Sequence, residues 1–465
     1  MNAPLWTSQE ITSAVDGRLD GASFVVSGVS TDSREVGPGD LFVALRAERD
    51  GHDFAAAAVA RGAAGVLAER SVGSPAVLAD DALRGLRRLG EAARHRAAGA
   101  RRGAVTGSVG KTSVTQAVLA GLERAGRAHG SVKSYNNHIG VPLTLARMPG
   151  DTERAIFEIG MNHADEIAPL VRLVQPHAVA ITNVEAVHVE NFPDGALGVA
   201  RAKAEIFEGL ERGGVAVLNG DNAWFDLVKG EARRHGAKPR IFGAVKGADA
   251  ELLRFTAAPG GASVEARIDG KVIEFPIRQS APHWGPMSLC ALLMMQALDV
   301  DLATGIAALA DFEPLAGRGA ERRVTLPTGG FVLIDDSYNA SPVSTTAALK
   351  GLGARVGGGR KIAVLTDMLE LGADAPALHA ALAPIIDCCG IDQVFCAGPL
   401  MQSLWRALPA ARRGAWAPTA SGVTRDLIAA VRPGDTILVK GSKASDAHAL
   451  AAALGALDTT PGDAR

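Results

Sequence analysis

The sequence has few aromatic residues and few cysteines. Aromatic side chains make up 4% of the 465 residues, and the four cysteines are Cys290, Cys388, Cys389 and Cys396. They form no C-x-x-C pair, and the adjacent Cys388 and Cys389 are poorly placed to bridge each other. We therefore expect reduced thiols, most of them buried, rather than a disulfide framework or a zinc site.

The sequence also lacks a long apolar run and an excess of charge of either sign. No apolar run approaches the roughly 18 residues of a membrane span, and no basic segment followed by an apolar stretch opens the chain. The formal net charge is -2, which favours neither nucleic acid nor an anionic membrane as partner. The arginine-rich stretch 81–102 has no interleaved aromatics, so it indicates a solvated helix face. We expect a cytoplasmic enzyme acting on small molecules, without membrane insertion.

The length and the hydrophobic pattern predict an α/β protein of about three domains. Residues 1–100 form a smaller N-terminal α/β domain. Residues 101–315 alternate short apolar runs with helical patterns, which predicts a central doubly wound, mainly parallel sheet. Residues 316–465 repeat that pattern through "FVLIDD", "KIAVLTD", "QVFCAG" and "TILVKG", and we expect a Rossmann-like C-terminal domain there.

A glycine-rich stretch, "TGSVGKTS" (106–113), separates an apolar strand from a helix expected over residues 111–125. Gly107 and Gly110 permit a tight turn with inward-facing amides, and the helix presents its positive end to the same point. Lys111 can reach terminal phosphates, and the hydroxyl of Thr112 or Ser113 can ligate magnesium. Val105 stands where the longer P-loop pattern has its first glycine, so this is a shorter variant. We interpret it as a nucleotide-binding loop rather than a structural turn.

Two further residues suggest a metal site beside this loop. Glu158 interrupts the apolar run "AIFEIG", where an isolated buried carboxylate needs a cation or hydrogen bonds. His188 follows the next apolar run, and the carboxyl ends of neighbouring parallel strands converge on one crevice. Carboxylate, imidazole and phosphate oxygens together suit magnesium, although histidine is an unusual ligand for it. The alternatives are a paired structural glutamate and a surface histidine.

Lys203 lies on an apolar helical face with Ala200 and Phe207. An ammonium in that position usually extends its charged end to water. The alternative is that Lys203 approaches the phosphate site, where a deprotonated amine could react with carbon dioxide and the resulting carbamate could bind a metal. The residues alone leave both interpretations open.

Stretches along nearly the whole chain resemble the Mur ligase family. The N-terminal matches are "STDSREVGPGDLFVAL" (30–45) and "DGHDF" (50–54). The central matches are "TGSVGKTS", "YNNHIGVP" (135–142), "EIGMNH" (158–163), "ITNVEAVHVENF" (181–192) and "ARAKAEIF" (200–207). The C-terminal matches are "DDSYNASP" (335–342), "DMLELG" (367–372) and "VKGS" (439–442). The chain departs from the family pattern at Met287, Ser341 and Thr366, and in "KASDAHAL" after "KGS".

The resemblance implies an ATP-dependent, ADP-forming amide ligase. It further implies addition of D-alanyl-D-alanine to UDP-N-acetylmuramoyl-tripeptide through an acyl phosphate, in cytoplasmic peptidoglycan precursor synthesis. The N-terminal domain would bind the UDP substrate and the central domain ATP, while the C-terminal domain would close over ATP and bind the dipeptide. We expect ATP, two magnesium ions and a monomer. The rival ligase is a sister enzyme that adds a single amino acid, or folylpolyglutamate synthetase. A P-loop ATPase without ligase activity is the rival from another class.

The resemblance also assigns roles to individual residues. Lys111, Lys203 and His188 would be catalytic. Thr112, Glu158, His188 and a carbamoylated Lys203 would hold magnesium. The residues that would bind ATP are Gly107, Ser108, Val109, Gly110, Lys111, Thr112, Ser113, His283, Arg318 and Asp336. The residues that would bind substrate are Ser33 and Arg34 for the uridine nucleotide, Asn136 and Asn137 for the muramoyl peptide, and Tyr338 and Asn339 for the dipeptide.

Overall fold

The computed structural model describes residues 4–132, 134–185, 191–258, 260–355 and 358–459. The helices are α1 Ser8–Val15, α2 Ala55–Ala60, α3 Ala82–Arg96, α4 Lys111–Ala125, α5 Gly140–Ala146, α6 Ile167–Val174, α7 Ala196–Ala204, α8 Phe225–Arg234, α9 Trp284–Ala297, α10 Leu302–Asp311, α11 Pro342–Gly353, α12 Ala375–Ala380, α13 Ala383–Cys388, α14 Met401–Ala407, α15 Ala420–Ala430 and α16 Ala447–Gly455.

The strands are β1 Trp6–Thr7, β2 Arg18–Asp20, β3 Val25–Val26, β4 Gly28–Ser30, β5 Asp40–Val43, β6 Gly65–Ala68, β7 Ala76–Leu78, β8 Arg101–Thr106, β9 Ala128–Gly130, β10 Arg154–Glu158, β11 Ala178–Ile181, β12 Val215–Asn219, β13 Lys238–Gly243, β14 Ala250–Ala258, β15 Gly261–Ile268, β16 Lys271–Ile277, β17 Ala320–Leu326, β18 Gly329–Asp336, β19 Lys361–Thr366, β20 Gln393–Ala397, β21 Arg413–Ala417 and β22 Thr436–Lys440.

The chain divides into two compact units. The first unit comprises Met1–Val184, Ala200–Phe242 and Cys290–Ala308. The second comprises Glu185–Val199, Gly243–Leu289 and Leu309–Arg465. Among the described residues, we find no helix with the length and apolar composition needed to cross a membrane.

The first unit contains an antiparallel pair of short strands, β1 and β3, and two sheets of five or more strands. The smaller has the order β2-β7-β6-β5-β4, and only β2 runs antiparallel to its neighbour. The larger is a run of parallel strands in the order β13-β12-β11-β8-β10-β9. Its strand β11 is buried along its whole length, as expected for a parallel sheet covered on both faces.

The larger sheet is wound in two directions from β8. After β8 the chain forms β9 and β10 on one side of it, and then β11, β12 and β13 on the other. The carboxyl end of β8 therefore lies where the strand order reverses, which is where ligands bind in open α/β sheets. Helix α4 follows this end of β8 and spans Lys111–Ala125, so the helix expected over residues 111–125 is confirmed.

The second unit contains a sheet of the order β17-β18-β22-β19-β20-β21. All its neighbouring strands are parallel except β17 and β18. Separate apolar clusters contain Leu365 and Ile386 in one case and Val364 and Leu427 in the other, so successive β19 side chains enter different cores. The α/β fold with a Rossmann-like C-terminal part is confirmed.

Two local expectations differ from the structure. Strands β14, β15 and β16 form an antiparallel ladder, whereas the sequence predicted alternating strands and helices there. Along β15 buried and half-buried positions alternate, as in a strand with one covered face. We also expected most of the four cysteines to be buried, but only Cys290 and Cys396 are, whereas Cys388 is exposed and Cys389 half-buried. Burial raises the pKa of both these thiols, which disfavours the reactive thiolate.

Candidate active site

The phosphate loop, residues 106–113, forms a turn between β8 and α4. Gly107 has a φ of 151° and Gly110 a φ of 84°, a region where L side chains are strained. A Cβ atom on Gly107 would also lie 1.9 Å from Oγ1 of Thr182, so this position requires glycine. Because α4 begins directly at Lys111, its unsatisfied amides and positive dipole end are part of the loop. The arrangement suits an anion such as a phosphate group.

Two side chains of the loop place a charge and a hydroxyl there. The Nζ atom of Lys111 donates hydrogen bonds to the carbonyl oxygens of Gly107, at 2.7 Å, and Ser108, at 3.4 Å. The Oγ1 atom of Thr112 lies 3.0 Å from Oγ of Ser134 and is hydrogen-bonded to it. Thr112 and Ser113 are both buried. The lysine charge is thus held against the loop itself.

Glu158 ends β10 and is 1% exposed. In the sheet, Glu158 pairs with Val105 of β8, which directly precedes the phosphate loop. Its Oε1 atom accepts a hydrogen bond of 2.6 Å from Nδ2 of Asn136, whereas its buried Oε2 atom has no hydrogen-bond partner within the described parts of the chain. A carboxylate left half-satisfied in this way is costly unless a cation neutralises it. These atoms therefore fit a metal ion.

Lys203 lies on α7 and is 2% exposed, so its side chain does not reach water. Burial, together with the positive charge of Lys111, lowers the pKa of this amine well below its usual value. A lowered pKa favours the neutral form of the amine, which is the form that is nucleophilic and can react with carbon dioxide. The alternative that Lys203 extends its charge to solvent is wrong for this structure. His188, the other predicted metal ligand, lies outside the described residues.

The residues predicted to bind substrate in the first unit occupy three settings. Arg34 is exposed, and Asp32 holds its guanidinium through hydrogen bonds of 2.9 Å and 2.6 Å, while Ser33 lies between the two. Asn136 is bonded to Glu158, as described above. The Oδ1 atom of Asn137 accepts bonds of 3.2 Å and 2.9 Å from the backbone amides of residues 139 and 140, where α5 begins. Asn137 thus has an evident structural role.

In the second unit, charged and polar side chains meet at the carboxyl ends of β18 and β22. The Nζ atom of Lys440 donates to Oδ2 of Asp336 at 2.7 Å and to the carbonyl oxygen of Asn339 at 2.9 Å. The Lys440 side chain is buried and that of Asp336 is half-buried, so this ion pair is partly shielded from water. His283 is exposed and lies within electrostatic reach of Asp336 and Lys440.

The ring of Tyr338, two residues after Asp336 in the chain, contacts two cations. The Arg318 guanidinium is 4.0 Å from the ring centroid, and Nζ of Lys443 is 6.0 Å from it. Such contacts are favourable because the ring face is negative. The structure thus brings Asp336 and Asn339 together at Lys440, and Arg318 against Tyr338. Lys440 and Lys443 were not predicted, although the "VKGS" stretch at the end of an apolar run was a signal for them.

Two of the departures from the family pattern are in contact with each other. The Oγ1 atom of Thr366, at the end of β19, lies 2.5 Å from Oγ of Ser445. Ser445 also donates a hydrogen bond of 2.6 Å to the carbonyl oxygen of Ser442. The loop that follows β22 and carries Lys443 is thereby attached to the neighbouring strand β19.

Fold and site together define a class of protein, the α/β enzymes that bind a nucleotide in a glycine-rich loop at the switch point of a parallel sheet. Comparison with known families refines this. The profile of the Mur ligase middle domain matches residues 105–295. That of the Mur ligase, glutamate ligase domain matches residues 322–443, and that of the Mur ligase family, catalytic domain matches residues 25–85.

Individual proteins agree with these profiles. The UDP-N-acetylmuramoyl-tripeptide--D-alanyl-D-alanine ligase of Escherichia coli (strain K12) is 32% identical over 446 residues, which cover 94% of this chain and 96% of that protein. A crystal structure of MurF from Acinetobacter baumannii superposes with a TM-score of 0.85 at 26% identity, over 98% of this chain and 99% of that one. MurF ligase from Thermotoga maritima, solved in complex with ADP, has the same fold, with a TM-score of 0.77 at 23% identity over 92% of this chain and 97% of that one.

The chain belongs to the Mur ligase family. The family resemblance inferred from the motifs is thus confirmed, and with it the expectation of an ATP-dependent ligase.

Proposed function

We propose that this enzyme joins D-alanyl-D-alanine to UDP-N-acetylmuramoyl-tripeptide, with conversion of ATP to ADP and phosphate, in cytoplasmic peptidoglycan precursor synthesis. The observation that carries the proposal is the cluster around the phosphate loop. A loop built for an anion and a buried carboxylate with one unpartnered oxygen suit the phosphates and the metal that phosphoryl transfer from ATP needs, and a buried amine of lowered pKa lies close to the charge of Lys111. The name of the Escherichia coli relative, which aligns over nearly the whole chain, supports the choice of substrates.

The chemistry follows from the charges. The loop amides, the start of α4 and Lys111 bind the ATP phosphates and stabilise the negative charge that develops between them. The terminal carboxylate of the tripeptide attacks the γ-phosphorus, forming an acyl phosphate and releasing ADP. The amine of the dipeptide then attacks the acyl carbon, giving the amide, inorganic phosphate and a proton. Protection of the acyl phosphate from water is necessary for a useful yield.

Magnesium fits the residues of the first unit. Within this unit Glu158 would supply its unpartnered carboxylate oxygen and Thr112 a hydroxyl. The family resemblance adds His188, which lies outside the described residues. The amine of Lys203 would take up carbon dioxide with loss of a proton, giving a carbamate that supports a second ion. When bound, magnesium supplies charge neutralisation of the phosphates.

The remaining residues take the roles that the family resemblance gives them. In the first unit, Gly107, Ser108, Val109, Gly110 and Ser113 complete the nucleotide loop. Ser33 and Arg34 hold the uridine nucleotide, and Asn136 and Asn137 lie on the peptide side. In the second unit, His283, Arg318 and Asp336 serve the nucleotide, and Tyr338 and Asn339 the dipeptide. We also propose domain boundaries near residues 100 and 315, and a monomeric enzyme.

Acceptor-dependent ADP release tests this function. We expect release with ATP, magnesium and UDP-N-acetylmuramoyl-tripeptide to depend on D-alanyl-D-alanine, and single amino acids to replace it poorly. A parallel reaction with UDP-linked dipeptide and a single amino acid examines the sister ligase, and one with folate and glutamate examines folylpolyglutamate synthetase. ADP release that is independent of every acceptor would instead indicate an ATPase.

A further inference from the structure

Two residues that directly follow β11 lie beside the phosphate loop. Strand β11 is parallel to β8, and Ile181 pairs with Thr106, the last residue of β8. Thr182 and Asn183, which come directly after β11, therefore lie next to the phosphate loop where it leaves the sheet. Thr182 is 5% exposed, so its hydroxyl is held inside the protein.

Thr182 and Asn183 make direct hydrogen bonds to the backbone of two consecutive loop residues. The amide of Ser108 donates to the carbonyl oxygen of Asn183 at 3.0 Å, and the amide of Val109 donates to Oδ1 of Asn183 at 3.0 Å. In the opposite direction, Oγ1 of Thr182 donates to the carbonyl oxygen of Val109 at 2.6 Å. Both polar groups of the Val109 peptide backbone are thus bound by neighbouring side chains of one strand end.

The contact is close as well as polar. The position of Gly107 leaves no room for a Cβ atom against the Thr182 hydroxyl, so the loop lies directly on this residue. Thr182 is itself fixed from the other side, because Nδ2 of Asn219 at the end of β12 donates to its carbonyl oxygen at 3.0 Å. The Oδ1 atom of Asn219 accepts a hydrogen bond of 3.0 Å from the backbone amide of Asp221, which sets the orientation of the Asn219 side-chain amide. The network connects the ends of three neighbouring strands.

We propose that Thr182 and Asn183 are positioning residues that hold the phosphate loop in its anion-binding conformation. The proposal rests on the proposed binding of ATP to this loop. Two glycines give the loop wide conformational freedom, and ordering it is entropically costly. Bonds from a rigid strand end restrict that freedom before the nucleotide arrives, which preorganises the site. The position of the Lys111 ammonium depends on the same loop conformation, because its Nζ atom donates a hydrogen bond to the carbonyl oxygen of Gly107.

Substitutions at Thr182 separate the hydroxyl from the shape of the side chain. Thr182→Val keeps the branched shape and removes the bond to Val109, whereas Thr182→Ser keeps the hydroxyl. We expect Thr182→Val to weaken binding of Mg-AMP-PNP about fivefold, the effect of one lost hydrogen bond of ordinary strength. The KM for ATP should rise in parallel, while the KM for D-alanyl-D-alanine stays unchanged. Thr182→Ser should recover most of the affinity.

Asn183→Ala gives a second, independent arm, because it removes the acceptor for the Val109 amide while the backbone carbonyl remains. Its effect on Mg-AMP-PNP should be similar, and hydrogen exchange of the segment 106–113 in the nucleotide-free protein should be faster in both variants. The matched control is Thr152→Val. Thr152 is a buried threonine whose hydroxyl donates to the carbonyl oxygen of Pro149 at 2.8 Å, before the amino end of β10. This control should leave nucleotide affinity and loop exchange unchanged.

The outcomes separate this inference from the proposed function. If wild-type protein binds no Mg-AMP-PNP, the assignment of the loop to ATP fails. If wild-type protein binds it and Thr182→Val and Asn183→Ala bind it equally well with unaltered loop exchange, the positioning role is refuted and ATP binding stands. An affinity loss in Thr152→Val as large as in Thr182→Val would indicate a general loss of folding and would also overturn the positioning role.

Discussion

At the scale of single residues, Glu158 combines a cost to stability with its proposed role in binding magnesium. Its side chain is buried, and only one of its oxygens is hydrogen-bonded within the described chain. We predict that Glu158→Gln lowers ligase activity at least about a hundredfold, as for loss of a charge that stabilises a transition state. The same variant should unfold at an equal or higher temperature in the absence of magnesium and nucleotide, because it removes a buried charge.

The comparison of ADP release with thermal unfolding checks this prediction. Asn136→Ala is a useful companion variant, because it removes the hydrogen-bond partner of Glu158 and leaves the charge. It should lower the unfolding temperature. A Glu158→Gln protein that is active, or one that loses activity only because it unfolds, would contradict the assignment of Glu158 to the metal.

His379 provides a prediction about pH. It is fully buried on α12, its Nε2 atom accepts a hydrogen bond of 3.0 Å from the amide of Met368, and its Nδ1 atom lies 2.6 Å from the carbonyl oxygen of Ala375. Burial lowers the pKa of His379, although the bond to Ala375 and the charge of Asp367 oppose this. The unfolded chain therefore binds the proton more readily than the folded protein, so the contribution of His379 to stability is complete above about pH 6.5 and is lost as the pH falls below it.

Chemical unfolding between about pH 7.5 and pH 5 measures this effect, because the range spans the ordinary histidine pKa. In His379→Gln, the decline of the unfolding free energy toward acid pH should be smaller than in the wild type. His235→Gln is the control, since His235 is an exposed histidine in the same protein. Identical slopes for wild type and His379→Gln would show that His379 does not control the acid response.

The sequence indicates which residues need partners better than it indicates the partners. Glu158 stands out because a carboxylate interrupts an apolar run, and Lys203 because an amine lies on an apolar helical face. The partner of Glu158 is Asn136, 22 positions earlier in the chain. The pKa of Lys203 is lowered by burial and by the charge of Lys111, which is far from Lys203 in the sequence but close to it in the fold. These pairings depend on which strands become neighbours, and a single sequence does not encode that in any local pattern.

At the scale of elements, local signals located most of the fold. Helix α4 was predicted to the residue because a glycine precedes it, apolar residues recur on one face and Gly126 follows it. The ladder of β14, β15 and β16 was missed. Strand β15 alternates in burial and pairs with β16 through a short turn, where Gly270 with a φ of 81° is a turn signal. The expectation of strand and helix alternation, taken from the flanking segments, outweighed these local signs.

The loop after β22 gives a prediction at this scale. We expect Thr366→Val and Ser445→Ala each to raise the KM for D-alanyl-D-alanine severalfold with little change in the KM for ATP. The reason is that the bond between these hydroxyls restrains the loop carrying Lys443, which reaches the Tyr338 ring in the proposed dipeptide site. The effects should not add in the double variant, because both single variants break the same bond.

Initial rates at varied dipeptide concentration for the four proteins of this cycle measure the coupling. Thr424→Val is the control, since its hydroxyl donates to a carbonyl oxygen one turn earlier in α15, at 3.0 Å. Fully additive effects of Thr366→Val and Ser445→Ala would show that the two side chains act separately.

At the scale of the whole molecule, nucleotide binding is coupled to folding by mass action. A ligand that binds only the folded protein stabilises it by about 2.7 kcal/mol at a hundred times its dissociation constant. We therefore predict that Mg-ADP raises the unfolding temperature of the wild type. Lys111→Met should abolish most of this rise, because it removes the loop's side-chain cation.

Without nucleotide, Lys111→Met should unfold close to the wild-type temperature, since the lysine's bonds to Gly107 and Ser108 are local to the loop. Lys238→Met removes an exposed lysine of the first unit and should preserve the full response to Mg-ADP. Differential scanning calorimetry with and without Mg-ADP compares the three proteins under identical conditions. An undiminished rise in Lys111→Met would mean that the phosphates bind elsewhere. The loop glycines would then serve the turn alone, and the ligase mechanism proposed for this chain would lose its anion site.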